Sequence, residues 1–257
     1  MKILLAVAAH KPCPVPEGEI YLPVQAGAAG KESIGFQRDD EGENLSRKNP
    51  SYSELTVLYW LWKNADADAL GLVHYRRLFG KKKKGGVFAG VLTKEEAEKA
   101  LLKAPLALPK KRRYVIETLY DHYSHTLHGE VLDRAGEVIR EICPKYLPEF
   151  ERLKKRRSAH MFNMMLAKRE VLDGYLSFLF PVLFELEKRV DEAEFADPFH
   201  ARFPGRISEL LLDVYIFTEK IPYTELPVLY PGGEGKMKKA AAMLKAKFFG
   251  KKYGQSF

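Results

Sequence analysis

The sequence predicts an α/β domain in which helices flank a mainly parallel central sheet, and two kinds of segment carry this prediction. Short apolar runs, such as residues 2–9 and 69–73, are typical of strands that are buried on both faces. Segments with apolar residues at helical spacing, such as residues 51–64, alternate with these runs along the chain. Because a crossover helix returns the chain to the same end of the sheet, this alternation favours parallel strands covered on both faces.

The individual elements follow from the same patterns and from the turn residues between them. We predict strands at residues 2–9, 19–24, 69–73, 106–108 and 160–166. We predict helices at residues 51–64, 130–142, 148–155, 169–189 and 205–218. A capping-box pattern, in which Thr93 faces Glu96, marks the start of one more helix. Asn49 or Ser51 could cap the helix at 51–64, and the polar segment 35–50 is long enough to indicate a functional loop.

The length and charge of the chain favour one domain with a basic tail. With 257 residues, of which 46% are hydrophobic, the chain can bury a core, and we expect a domain at residues 1–235 and a tail at 236–257. The formal net charge is +8, from 42 basic and 34 acidic residues. The tail contains seven lysines and no acid, so the rest of the chain carries 35 basic against 34 acidic residues. That near-neutral body argues against a nucleic-acid partner.

The tail and the cysteines indicate where the protein works. Apolar residues at helical spacing in the tail predict a basic amphipathic helix that contacts an anionic membrane surface, with a solvated terminus as the alternative. Cys13 and Cys143 lie far apart, which indicates no disulfide framework and favours a reducing compartment. The first apolar run is at the short limit for a signal peptide, which stays the alternative to a strand, and no run approaches the roughly 18 residues of a membrane span. We therefore expect a cytoplasmic protein, peripheral at the inner face of the cell membrane.

The strand at 69–73 ends in a group of chemically active side chains. Ligands in α/β sheets bind beyond the carboxyl ends of the strands, and guanidinium groups match phosphate or carboxylate oxygens bidentately. Two adjacent arginines therefore predict an anionic ligand, although an ordinary basic turn is the alternative for an isolated pair. The residues that follow the first strand and this one, which we expect at one edge, are His10, Lys11, His74, Tyr75, Arg76 and Arg77.

Asp66 and Asp68 imitate the Asp-any-Asp motif with which nucleotide-sugar enzymes hold a divalent ion. The pair precedes the strand at 69–73, so we expect it at the opposite edge of the sheet from the ligand. His74 lies at the ligand edge and could bind a metal ion. Metal dependence therefore stays open.

Histidines also cluster at His122, His125 and His128, where helical spacing invites a zinc interpretation. The segment offers no placed carboxylate or cysteine partner, so a polar wall that faces the substrate is the better interpretation. His160 without further context would be a satisfied core histidine. Glu209, near a helix start, would ordinarily interact with the helix dipole, but it becomes the natural base for proton abstraction if it faces the cleft.

Several segments, in order along the chain, resemble the bacterial family catalogued as domain of unknown function 4422, which is associated with capsular and lipopolysaccharide glycosyltransferases. The resemblance covers nearly everything except the tail and the lysine-rich loop at 81–86. The matching segments in the first third are Ala9-His10-Lys11-Pro12, residues 19–24, residues 42–46 with Asn49-Pro50, Glu54-Leu55-Thr56 with Tyr59-Trp60, and residues 71–77. The later ones are residues 108–111, residues 117–120, His122-Tyr123, His125-Thr126, residues 160–164 and Ser208-Glu209 with Leu211-Leu212-Asp213.

The resemblance implies a GT-A-like fold and an inverting transfer of a sugar from a UDP-sugar, with UDP-galactofuranose as the expected donor. The implied acceptor is a glycan or a polyprenyl-linked glycan in the synthesis of cell-surface polysaccharide. Glu209 would be the catalytic base, with His160 second, and Mn²⁺ or Mg²⁺ could assist. The residues implied at the donor are His10, Lys11, Asp39, Asp40, Asn44, His74, Tyr75, Arg76 and Arg77. The residues implied at the acceptor are Glu117, Tyr120, His122 and His125.

Two alternatives from other classes stay open at this point. Basic runs at residues 81–84, 110–113 and 154–157, with 12% aromatic residues, would suit a nucleic-acid-binding module. The histidines at residues 122–128 would suit a metal-dependent phosphoesterase. The near-neutral body argues against the first alternative and the missing ligand partners argue against the second.

Overall fold

The computed structural model describes residues 1–126, 129–190 and 197–232, whose strands form one central sheet and two short pairs. The central sheet has the order β10-β6-β9-β4-β1-β2-β3, while β5 pairs with β11 and β7 pairs with β8. These strands are β1 (Ile3–Ala9), β2 (Tyr21–Gln25), β3 (Gln37–Arg38), β4 (Ala69–His74), β5 (Leu78–Phe79), β6 (Leu106–Pro109), β7 (Arg112–Arg113), β8 (Ser158–Ala159), β9 (Met165–Lys168), β10 (Tyr223–Leu226) and β11 (Val228–Leu229).

Helices cover both faces of the central sheet. Successive side chains of a strand point to opposite faces, so an apolar strand has two surfaces that pack against helices. In β1, Leu5 and Val7 pack in one apolar cluster with α3, whereas Ala6 and Ala8 pack in a larger cluster with α2 and α5 to α8. The predicted α/β class with a mainly parallel sheet between helices is confirmed. The helices are α1 (Asn49–Tyr52), α2 (Leu55–Asn64), α3 (Lys94–Lys103), α4 (Leu119–Thr126), α5 (Gly129–Ile142), α6 (Leu147–Lys155), α7 (Arg169–Lys188) and α8 (Phe203–Glu219).

The direction of the strands decides what meets at each edge of the sheet. β1 is parallel to β2 and β4, and β6 is parallel to β10. β9 lies between β4 and β6 and runs antiparallel to both. The carboxyl ends of the parallel strands therefore share one edge with the amino end of β9. The loop that enters β9 is thus brought to the edge where ligands bind in α/β sheets.

Two local predictions have different outcomes. The capping box is confirmed, since Thr93 Oγ1 accepts a hydrogen bond from the backbone of Glu96 and opens α3. The single helix predicted at 51–64 is wrong, because Ser53 has a φ of 51° and separates α1 from α2. Asn49 does not cap α1; its amide donates instead to the Ser53 carbonyl and to Thr56 Oγ1, at 2.8 and 3.2 Å.

The strand predicted at 160–166 begins only at Met165. Phe162 and Asn163 have φ values of 80° and 52°, in the left-handed region, so the chain turns there before it becomes extended. The apolar pattern around His160 therefore belongs to a buried loop and not to a strand. That loop occupies the edge where the parallel strands end.

In the described part of the chain, no helix is both long and apolar enough to span a bilayer. His128 and the tail at 236–257 lie outside the described residues.

Candidate active site

The ends of β1 and β4 bring the first predicted group together. Ala8 is in register with His74, so the residues that follow the two strands are neighbours. The His10 ring meets the Tyr75 ring edge-on at 5.4 Å between centroids, and His74 stacks on Tyr75 at 4.8 Å. The predicted proximity of these residues is confirmed. Lys11 continues from His10 at the exposed rim of the same edge.

A tight turn after β4 separates the two arginines. The backbone N–H of His74 donates to the Arg77 carbonyl, and the N–H of Arg77 donates to the His74 carbonyl, at 2.9 and 2.7 Å. Arg76 is exposed, whereas the half-buried Arg77 guanidinium lies 4.5 Å from the centroid of the Phe162 ring. Burial and then the charge of Arg76 lower the pKa of Arg77, and the Glu209 carboxylate opposes them. The turn thus points one cation toward solvent and holds the other, partly buried, against the Phe162 ring.

His74 is neutral in this setting. Burial, followed by the charges of Arg76 and Arg77, lowers its pKa to about 3. A neutral imidazole keeps a lone pair, which suits a hydrogen-bond acceptor or a metal ligand. No group of three or more His, Cys, Asp or Glu side chains in the described ranges is arranged to hold a metal ion.

Glu209 lies near the amino end of α8 and is the most perturbed carboxylate of this edge. Burial, followed by the like charge of Glu54, raises its pKa to about 7. The opposing positive charges come from Arg77, Arg206 and Arg112. The carboxylate keeps a partly exposed face and accepts no hydrogen bond from residues 1–126, 129–190 and 197–232. A carboxylate with a pKa raised to about 7 has the acid–base chemistry that a general base requires.

Asn163 fixes the position of the residues around Glu209. Its amide nitrogen donates to Glu54 Oε1 and to the Gly205 carbonyl, both at 3.0 Å. Ser208 donates from Oγ to the amide oxygen at 2.8 Å. These bonds join the residue that precedes α2 to the first turns of α8, and they hold Glu54 within electrostatic range of Glu209.

The sequence did not single out Glu54, Asn163, Arg112 or Arg206 as site residues. Glu54, Asn163 and Arg112 lie far from Glu209 in sequence, so no local pattern connects them with it. Arg206 lies three residues before Glu209 on α8, and this helical spacing is the one local signal that could have indicated it. A positive φ at a non-glycine residue such as Asn163 is a signal that only coordinates reveal.

His160 is a satisfied core histidine. Its Nδ1 lies 2.5 Å from Asp213 Oδ1, and its Nε2 lies 3.2 Å from Glu225 Oε1. The ring is buried and meets Tyr223 edge-on. His160 therefore joins α8 to β10, and it has no nitrogen left to remove a proton from an acceptor. The expectation that it is the second candidate base does not fit this geometry.

Asp39 lies just after β3 and organises the loop beside β2. It is completely buried, and its two oxygens accept four hydrogen bonds. The backbone N–H groups of Gly27 and Ala28 donate at 2.8 and 2.9 Å, and the hydroxyls of Ser46 and Thr56 donate at 2.5 and 2.6 Å. All of its acceptor sites are thus occupied within the protein, so Asp39 shapes the loop.

Asp40 and Asn44 belong to the same loop. Asp40 accepts hydrogen bonds from Arg38 Nε and Nη2 at 2.9 and 2.7 Å. The Asn44 amide donates to the carbonyls of Asp40 and Gly42 at 3.0 and 2.7 Å. The structure brings the three predicted donor-side residues of this loop together, with their side chains engaged in the loop itself. A direct contact with the donor stays a prediction.

The predicted acceptor wall divides into two parts. Glu117 is buried between two histidines, with His122 Nδ1 and His125 Nδ1 each 3.2 Å from one of its oxygens. Tyr120 instead donates its hydroxyl to Asp133 on α5 at 2.8 Å, so it lies on the other side of α4. Three of the four residues therefore form one polar wall.

Tyr114 connects this wall to Glu209. Its ring lies 4.3 Å from the His122 ring, and the Arg112 guanidinium lies 5.0 Å from its centroid. Burial raises the pKa of Tyr114 to about 12, and the nearby Glu209 carboxylate adds to that shift. Tyr114, which contacts the polar wall, therefore lies within electrostatic range of the candidate base.

The Asp66–Asp68 pair lies at the other edge of the sheet, as predicted. Asp68 Oδ2 accepts a hydrogen bond from the backbone of Lys2 at 2.7 Å, and Asp66 Oδ2 lies 3.6 Å from Lys2 Nζ. Lys2 precedes β1, so this is the edge where the parallel strands begin. The pair cannot hold an ion against a ligand at the carboxyl edge.

Among solved structures, the chain is similar to the apo structure of WbbM, a bifunctional glycosyltransferase. The TM-score is 0.81 and the sequence identity is 26%, over 90% of this chain and 45% of that one. The fold that the resemblance implied is confirmed by this similarity, although the chain spans less than half of the length of WbbM. No curated protein matches the sequence significantly.

A family model described as a domain of unknown function, DUF4422, matches residues 3–220. This match contains both halves of the cleft, from the His10 segment at the end of β1 to Glu209 on α8. The chain belongs to the DUF4422 family.

Proposed function

We propose that the protein is a glycosyltransferase that transfers a sugar from a nucleotide-diphosphate donor to the hydroxyl of an acceptor. One observation carries the proposal: Glu209, a carboxylate whose pKa is raised to about 7, lies within electrostatic range of Arg77 at the carboxyl edge of the sheet. The similarity of the fold to a bifunctional glycosyltransferase supports this assignment.

The donor diphosphate would bind at the turn after β4. Arg76, in solvent, and Arg77, in the cleft, would offset the charge that develops on the leaving group. His10, Lys11 and the neutral His74 would contact the nucleotide or its phosphates. The loop organised by Asp39 borders the same edge and would shape the donor site indirectly.

Glu209 would act as the base in an inverting displacement. The acceptor hydroxyl oxygen forms a bond to the anomeric carbon while the bond from that carbon to the diphosphate oxygen breaks. The hydroxyl proton passes to Glu209, and the electron pair of the broken bond stays on the diphosphate near Arg77. Glu117, His122 and His125 would bind acceptor hydroxyls on the other side of Tyr114.

The finer assignment follows from the family resemblance. We propose UDP-galactofuranose as the donor and a glycan, free or polyprenyl-linked, as the acceptor in the synthesis of cell-surface polysaccharide. Protein that acts on such an acceptor would work at the inner face of the cell membrane.

Donor binding tests this proposal directly. Binding of UDP, UDP-galactofuranose and the pyranose UDP-galactose is measured by calorimetry, with and without Mn²⁺. We expect Arg77→Ala and Arg76→Ala each to weaken UDP binding about tenfold, because each removes a charged contact to phosphate. Arg140→Ala, an exposed arginine on α5, is the matched control and should bind like the parent. Transfer of galactofuranose in preference to galactopyranose would support the finer assignment.

Other outcomes would contradict it. Unchanged UDP affinity in both arginine variants would exclude the diphosphate role. Salt-sensitive binding to generic DNA without sugar transfer would favour a nucleic-acid-binding module. Chelator-sensitive hydrolysis of phosphate esters, lost in His122→Ala, would favour a phosphoesterase.

A further inference from the structure

The loop between β7 and α4 exposes two neighbouring aliphatic side chains. Val115 is 79% exposed and Ile116 is 45% exposed, while Tyr114 before them and Glu117 after them are buried. The buried neighbours anchor the loop on both sides, so the apolar pair forms a fixed tip. An anchored apolar tip that contacts no other part of the protein core is a feature of surfaces that meet a partner.

Cationic side chains lie in the segment that leads to this tip and beside it. Arg113 pairs with Ser158 across β7 and β8, which brings the segment that contains Arg157 beside the loop. Arg157 Nη1 donates to the Val115 carbonyl at 3.3 Å, and Tyr114 donates its N–H to the Arg157 carbonyl at 2.7 Å. Lys110 and Arg113 are exposed, and neither forms an ion pair with a carboxylate in the described part of the chain.

The tip also lies next to the cleft. The segment that leads to the loop, including β7, leaves the carboxyl end of β6, and Tyr114 and Arg112 are both within electrostatic range of Glu209. On the other side of the tip, Glu117 contacts the two histidines of the polar wall. A partner surface that contacts Val115 and Ile116 would therefore lie beside the polar wall, on the proposed acceptor side of the site.

We propose that residues 110–117 dock the protein on an anionic lipid surface, with Val115 and Ile116 inserted among the acyl chains and the surrounding cations on the headgroups. Aliphatic side chains gain from leaving water, and lysine and arginine are attracted to anionic headgroups. The combination fits a bilayer better than a folded protein, because two side chains are too small a patch for a stable protein interface. This docking does not depend on which reaction Glu209 catalyses.

Tryptophan fluorescence tests the insertion in the full chain. It reports on the position of the labelled residue, so it separates insertion of the tip from lipid binding by the basic tail. Val115→Trp is mixed with phosphatidylglycerol-containing vesicles whose acyl chains carry bromine, which quenches only by contact. We expect quenching beyond that of the parent, whose two tryptophans lie on α2. Leu102→Trp is the matched control, since Leu102 is 80% exposed at the end of α3, next to Lys103 and at the opposite edge of the sheet.

A binding measurement completes the test. Replacing both Val115 and Ile116 by serine should weaken binding to anionic vesicles about tenfold, with native stability, because both side chains lose their apolar environment. Quenching in Val115→Trp that is no greater than in Leu102→Trp would overturn the proposal, whatever the tail contributes. Equal quenching on purely zwitterionic vesicles would overturn the role of the cations.

Discussion

Two carboxylates at the same edge of the sheet, the completely buried Asp39 and the partly exposed Glu209, have opposite surroundings. Asp39 accepts four hydrogen bonds from its own loop. Glu209 accepts none from the described residues. Burial, followed by the like charge of Glu54, raises its pKa to about 7. The difference distinguishes a carboxylate whose charge is satisfied within its own loop from the one that we propose as the base.

Both arrangements follow from the same physics. A buried charge is costly unless hydrogen bonds or opposite charges compensate it. Around Asp39 the loop supplies that compensation completely. Around Glu209 three arginines supply it only in part, which leaves a group able to take up a proton near neutral pH. Removing the two carboxylates should therefore have separable effects on activity and stability.

The largest expected effect is on turnover. Glu209→Gln should lower kcat about 10²- to 10⁴-fold, because the amide cannot accept the proton of the acceptor hydroxyl. UDP binding should change little, since the base does not contact the diphosphate. Steady-state kinetics with a nucleotide-sugar donor, together with UDP calorimetry, measure both quantities.

Glu219→Gln is the matched control on the same helix. Glu219 contacts Lys145 and Tyr146 away from the cleft, so kcat should stay near that of the parent. A Glu209→Gln variant that keeps full turnover would remove Glu209 from the mechanism and end the contrast with Asp39.

The next effect is on the free energy of unfolding. Asp39→Ala should destabilise the protein by about 3 kcal/mol, because four donors lose their acceptor in a buried position. Chemical denaturation measures this loss. Thr56→Val, which removes one of the donors, should cost about 1 kcal/mol and provides a milder variant if Asp39→Ala does not fold.

Asp40→Ala is the control for this effect. Asp40 pairs with Arg38 near the surface, where such a pair contributes less than about 1 kcal/mol. If Asp39→Ala kept its stability and lost UDP binding, Asp39 would be a direct ligand and not a structural anchor.

The smallest effect is a gain in stability that depends on pH. Below pH 4.5, the ordinary pKa of a glutamate, Glu209 is neutral in both the folded and the unfolded chain. As the pH rises to about 7, the unfolded chain ionises while the folded chain retains the proton, so the free energy of unfolding falls. Glu209→Gln should therefore be more stable than the parent by at most about 3 kcal/mol at pH 8 and equally stable at pH 4.

The control for this gain is Glu219→Gln, for which we expect a stability change of the opposite sign. Hydrogen bonds from Lys145 and Tyr146 lower the pKa of Glu219, so Glu219→Gln should lose stability at pH 8. Denaturation curves at pH 4, 6 and 8 separate the two variants. A Glu209→Gln variant with no pH-dependent gain would show that the carboxylate is well compensated, as Asp39 is.

Much of the fold could be predicted from the spacing of apolar residues along the chain. The first strand, the helix after Thr93 and the strand that leads to His74 were predicted because apolar spacing and capping chemistry act over a few residues. The edge that holds His10, His74 and the two arginines followed from strand direction. By contrast, Ser53 and Phe162 break predicted elements through backbone conformations that side-chain patterns do not encode.

Less of the candidate site could be predicted from the sequence, because the role of each side chain depends on its partners in the fold. Tyr120 and His122 are two residues apart, yet one contacts Asp133 and the other Glu117, a division that depends on how α4 packs on α5. His160 carries the residue type of a base, but Asp213 and Glu225 occupy its nitrogens from more than 50 positions away. Long-range partners decide such roles, and a sequence does not show them.

The sequence by itself determined the alternation of strands and helices, the edge at which the arginines lie and the family to which the chain belongs. These depend on local spacing and on residue order, which the sequence contains. Only the tertiary structure decided that Asp39 is saturated with hydrogen bonds, that His160 is a core histidine and that Glu209 accepts no hydrogen bond from the described residues. The physical reason is that burial and hydrogen-bond satisfaction are properties of the space around a side chain, and segments distant in sequence fill that space.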